Sequence, residues 1–104
     1  MTFEVLFSIS AEEDLARHFQ CLLDRDKTVA DLDLAQEAID AVRSAVVHRL
    51  AVTPYSFRKA GRSPTRRELI IPFGATGYVA LYEIVSASSV LVLAVRHQRE
   101  EDYH

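Results

Sequence analysis

One cysteine, Cys21, among 104 residues excludes an internal disulfide and a thiolate metal cage. Set beside Leu22 and Leu23 in a helical pattern, it reads as a small core or boundary residue rather than a nucleophile. With three glycines the chain has little material for a phosphate cradle. Gly74-Ala75-Thr76-Gly77 lacks the lysine and the following helix such a cradle requires, so it reads as a turn. No apolar run approaches the ~20 residues needed to span a bilayer, and no membrane role is expected. Met1 to Phe7 has neither a basic flank nor a small-residue cleavage pattern, which argues against a secretory signal. A cytoplasmic, reducing location is therefore expected. No Gly-x-Ser-x-Gly elbow is present, and the serines fall mainly at a cap, in loops and in a turn, where backbone partners suffice.

The chain is 49% hydrophobic and 26% charged, as globular domains are. Its length suits one domain spanning residues 1–104. The net charge of -3 conceals an uneven distribution. Residues 1–52 carry ten acidic against five basic side chains, and residues 53–99 carry two against seven. The second half is thus locally basic, which suits either an acidic partner or a solvated charged face.

Phe3, Val5 and Phe7 alternate along a short β-forming run and predict a first strand. Ser10-Ala11-Glu12-Glu13 reads as a capping box, followed by a stripe of Leu15, Phe19, Leu22 and Leu23, so a helix is expected to end near Asp24 to Asp26. Asp33, with Gln36 three residues later, is the expected cap of a second helix carrying Ala35, Ala38, Ile39, Val42, Ala45, Val46 and Leu50. Residues 53–65, with two prolines and a glycine, read as a loop. Three strands follow, Arg67 to Phe73, Tyr78 to Val85 and Val90 to His97, joined by short turns into an antiparallel meander. Pro72 cannot donate to a ladder and is placed at an edge or bulge. The expected fold is a two-layer α+β arrangement in the order β-α-α-β-β-β, an antiparallel sheet packed against a helical hairpin.

Candidate chemistry gathers at the carboxyl end, in Arg96-His97-Gln98-Arg99 and Tyr103. Cleavage of RNA through its own 2′-hydroxyl needs a base, an acid and positive charge, and no metal. His97 and Tyr103 could share the proton transfers while Arg96 or Arg99 holds the phosphate. Equally, the segment reads as a strand running into a polar tail that contacts another protein. Arg66 and Arg67 extend the basic surface, without the interleaved aromatics of a single-strand platform. His18 and His48 lie outside any metal-ligand spacing and are read as surface or boundary residues.

The order of elements, the Ala11 and Leu15 spacing, Pro54 after the second helix, the strand Gly77-Tyr78-Val79-Ala80-Leu81-Tyr82 and the ending Val92-Leu93-Ala94-Val95-Arg96-His97-Gln98-Arg99 resemble the ParE/RelE toxin superfamily, often labelled plasmid stabilization proteins. The resemblance covers essentially the whole chain. It implies a type II toxin without cofactor, neutralised by a cognate antitoxin whose carboxyl-terminal segment wraps it, as a homodimer or a toxin–antitoxin hetero-oligomer. Two activities occur in the superfamily: inhibition of DNA gyrase by ParE-like members, and cleavage of mRNA on the ribosome by RelE-like members. RelE-like nucleases carry lysines before the Gly-Tyr turn and an arginine just after it, where this chain has Ile70, Pro72 and Val79. The His97-x-Arg99 ending instead resembles the ParE-like pattern. The resemblance therefore implies a non-nucleolytic gyrase inhibitor binding its target or antitoxin through Arg66, Arg67, Arg96, His97 and Arg99. A ribosome-dependent endoribonuclease using His97, Arg99 and Tyr103 is the alternative, and an inactive antitoxin-binding module is a third reading.

Overall fold

The computed structural model describes residues 2–25, 29–73 and 76–99. The elements are β1 (Glu4–Phe7), α1 (Ile9–Arg25), α2 (Val29–Val52), a 3₁₀ turn (Pro54–Ser56), β2 (Arg58–Lys59), β3 (Arg66–Phe73), β4 (Thr76–Ile84) and β5 (Ser89–His97). They form one five-stranded sheet in the order β1-β5-β4-β3-β2, with both helices on one face. The α+β, two-layer architecture expected from the sequence is the one observed.

Several local expectations are corrected. The cap of α1 is Ser8, not Ser10: the Ser8 hydroxyl accepts from the Ala11 N–H at 3.0 Å and donates to the Leu93 carbonyl at 3.1 Å. That second bond ties the helix start to β5, an advantage invisible in local sequence. Helix α2 begins at Val29, so Asp33 lies inside it and Gln36 pairs along the helix with Asp40 at 2.9 Å. The segment 53–65 is not wholly loop, since Arg58 and Lys59 pair antiparallel with Glu68 and Arg67. The sheet is mixed: β1 joins β5 in parallel, from Glu4 against Ser89 to Phe7 against Val92. Phe3, Val5 and Phe7 pack against the core, as their alternation requires.

The core lies between the helices and the inner face of the sheet. Ala11, Leu15, Ile39, Val42, Val46 and Leu50 meet Leu69, Ile71, Tyr78, Ala80, Tyr82, Ile84, Val90, Val92 and Val95. Side chains alternate along a strand, so Ile70, Val79, Leu81 and Arg96 project from the opposite face. A bulge between Leu81 and Tyr82 leaves Leu93 as the extra residue of β5, which returns Val95 to the inner face. Pro72 lies where β3 extends past the two-residue β2 and forms the sheet edge, the position a residue without an N–H tolerates. Among the described residues no helix is long and apolar enough to cross a membrane.

Candidate functional site

β5 outruns its neighbour. Its pairing with β1 stops at Val92, yet the strand continues to His97. The backbone groups left on that edge would be unsatisfied inside the fold, a cost of ~1–3 kcal/mol each. Side chains from α1 answer them. The Asp14 Oδ2 accepts from the Val95 N–H at 2.8 Å, and the His18 Nε2 donates to the Val95 carbonyl at 2.9 Å. Both side chains are buried, at 5% and 4% relative exposure. His18 is therefore no surface or boundary residue, whereas His48 is exposed as expected. Cys21, expected in the core or at its boundary, is exposed.

The tip of β5 holds an aromatic stack. Tyr78 lies edge-on between the His18 ring (centroids 5.1 Å apart) and the His97 ring (5.4 Å). The His97 Nδ1 accepts from the Arg99 backbone N–H at 3.2 Å, which assigns the hydrogen to Nε2, 3.1 Å from the Thr76 hydroxyl. Arg96 projects from the other face opposite Val79, with its Nη1 3.4 Å from the His97 carbonyl.

The structure divides the other residues singled out from the sequence. Arg66 sits opposite Glu83, while Ile71 sits opposite Tyr78, itself paired with His97. Five strand positions, about 17 Å, thus separate Arg66 from the β5 tip. Arg66 makes a 3.7 Å ion pair with Glu83 across the outer face. Arg67 points inward: its Nη1 donates to the Phe57 carbonyl at 2.7 Å and its guanidinium lies 5.7 Å from the Tyr55 ring centroid. Beside it the fully buried Tyr82 donates to the Pro54 carbonyl, and burial pushes its phenol up to about 12, Arg67 pulling the other way. Arg66 and Arg67 belong to the wall and floor of the opposite end of the sheet. Arg96, His97 and Arg99 follow one another at the β5 tip, Arg96 on the outer face and His97 on the inner one, with the Arg99 backbone N–H on the His97 ring; Tyr103 lies outside the described residues.

Asp14, His18, Thr76 and Tyr78 escaped the sequence reading. Asp14 and His18 flank Leu15 on the inward stripe of α1, and two polar residues on an apolar stripe were the available signal.

On the outer face Ile70 stands opposite Val79, and Pro72 opposite Gly77. Of the three positions where the nucleases of the resembled superfamily carry charge, Ile70 and Pro72 are exposed and Val79 is buried, so none is charged, and the half-buried Leu81 lies on the same face.

A small mixed sheet with a helical hairpin on one face and a polar strand tip defines a two-layer α+β fold. Comparison with known proteins places it further. The chain matches the family model described as ParE toxin of type II toxin-antitoxin system, parDE, over residues 5–102. It is 35% identical over 101 residues to Toxin RelE1 of Caulobacter vibrioides, covering 97% of this chain and 99% of that protein. Its fold matches a solved chain of the chromosomal ParDE TA system from P. aeruginosa with a TM-score of 0.69, at 13% identity, over 91% of this chain and 95% of that one. The chain belongs to the ParE/RelE toxin family of type II toxin–antitoxin systems. Membership implies a cognate antitoxin as partner.

Proposed function

We propose that this toxin arrests growth by binding a protein target, DNA gyrase, rather than by cleaving RNA. The observation that carries this reading is the lack of charge at the sites of nuclease charge, where Ile70 and Pro72 are exposed and Val79, opposite Ile70, is buried. A phosphate backbone is held by Arg and Lys, and an apolar surface is suited to another protein. Purified toxin added in excess to a gyrase supercoiling reaction should suppress supercoiling. Full supercoiling at excess toxin would remove gyrase as the target.

The endoribonuclease reading keeps one support, His97 and Arg99 adjacent at a rigid strand tip. It requires that transcripts be cut on induction, and growth arrest with intact transcripts would dismiss it.

A further inference from the structure

We infer that Asp14 and His18 are positioning residues: through the backbone of Val95, helix α1 sets the place and direction of the arm that carries Arg96, His97 and Arg99. This rests on the reading that the arm meets the toxin's target.

β5 is held on its β4 side up to the pair Tyr78–His97, but on its other side β1 ends at Val92. Beyond that point side chains take over the edge. Ser8 Oγ takes the Leu93 carbonyl, Asp14 takes the Val95 N–H and His18 takes the Val95 carbonyl. Asp14 and His18, one helical turn apart, thus grip both polar groups of one residue as a neighbouring strand would. Arg96 follows directly. A second link runs from the His18 ring through Tyr78 to the His97 ring. A buried carboxylate and a buried imidazole cost desolvation, which their hydrogen bonds to the Val95 N–H and carbonyl offset. Arg17, 3.5 Å from Asp14, offsets part of that cost. The arm is therefore aimed by the helix layer as well as by its own sheet.

The test uses the full-length toxin. Asp14→Ala and His18→Ala remove each grip. Asp14→Asn keeps an oxygen for the Val95 N–H, and His18→Gln keeps an N–H for the Val95 carbonyl. Leu15→Ala, a core change on the same helix, controls for lost stability. Growth arrest is titrated at matched toxin levels, and backbone NMR follows exchange of the Val95 amide and the shifts of Arg96 and His97. The alanine variants should need at least ten-fold more toxin, exchange the Val95 amide faster and move the Arg96 and His97 signals. The Asn and Gln variants should stay within about three-fold of wild type. Leu15→Ala should lower the melting temperature yet arrest growth more nearly as wild type does than the alanine variants of Asp14 and His18. The inference is overturned if potency follows melting temperature regardless of position, or if Arg96 and His97 keep their shifts without Asp14. Should the alanine variants not fold, folded Asn and Gln variants that fail to arrest growth overturn it equally. The NMR readout needs no activity, so a toxin that spares gyrase would sink the target reading and leave this one to be decided separately.

Discussion

Two single residues carry sharp expectations. Tyr82 binds its proton more tightly folded than unfolded, its value standing at about 12 against an ordinary 10.0, chiefly because it is buried. The stabilisation is whole below pH 10 and is lost as pH rises from 10 towards 12. Tyr82→Phe leaves the Pro54 carbonyl without its donor and should cost about 1–3 kcal/mol at neutral pH. Urea unfolding from pH 8 to 12 should show that gap closing, because only the wild type has a phenol to ionise at position 82. Gly77 is fixed by space: a Cβ there would stand 2.5 Å from the Ile71 carbonyl oxygen and 3.2 Å from the Pro72 Cα. Those are backbone atoms of the paired strand and cannot step aside. Gly77→Ala should therefore lower stability by about 1–3 kcal/mol, read as a fall in melting temperature. From sequence this glycine was read as part of a turn and the start of a strand; that a Cβ here would meet the Ile71 and Pro72 backbone depends on register.

Among the elements, the helices and the three late strands were legible because periodicity is a local property, and their spacing left few alternatives. Pairings across the chain were not. β1 slides in parallel beside β5, across more than eighty residues, and nothing in Glu4–Phe7 names its partner. The caps failed for a related reason. Asp33 and Ser10 are good cap types, but a cap is worth only about 1 kcal/mol, and the contacts of Ser8 with β5 outweigh it. The tip cluster of Arg96, His97 and Arg99 was readable as consecutive residues on one strand. Asp14 and His18 were not, because their partner is the backbone of a strand far along the chain. The two helices are also clasped to each other: Arg43 donates from both Nη atoms to the Glu12 carboxylate and lies 4.9 Å from the Phe7 ring centroid. The hydrogen bond from Arg43 holds the Glu12 carboxyl below its ordinary 4.5. Its contribution is present above pH 4.5 and fades as acid protonates the folded carboxylate. Both side chains remain substantially exposed, so Glu12→Gln should cost less than about 1 kcal/mol. Melting curves of variant and wild type should converge in acid below that value, and in high salt.

For the whole molecule, the layers assign the tasks. One face of the sheet is filled by the helices, and the opposite face carries Ile70, Val79 and Leu81 beside charged residues, two pairs of which meet across strands. Arg58 pairs with Glu68 at 2.9 Å and Arg66 with Glu83 at 3.7 Å, so this part of the basic half is neutralised within the sheet. The charge excess of residues 53–99 is already net of Glu68 and Glu83 and therefore stands on Lys59, Arg62, Arg67, Arg96 and Arg99, which the sequence could not single out because the paired residues lie on different strands. If that face meets a protein, an acidic side chain placed in its middle should weaken the contact while sparing the fold. Ile70 suits the test, being 36% exposed and outside the helix-facing core. Ile70→Asp should keep a melting temperature within a few degrees of wild type, because surface changes away from special contacts rarely exceed about 0.5 kcal/mol. A carboxylate facing an apolar protein surface must be desolvated without a partner, so inhibition of supercoiling should fall at least about ten-fold. Undiminished inhibition by a folded Ile70→Asp toxin would move the target contact elsewhere on the molecule, with the β5 tip next in line because Arg96 borders the same face opposite Val79.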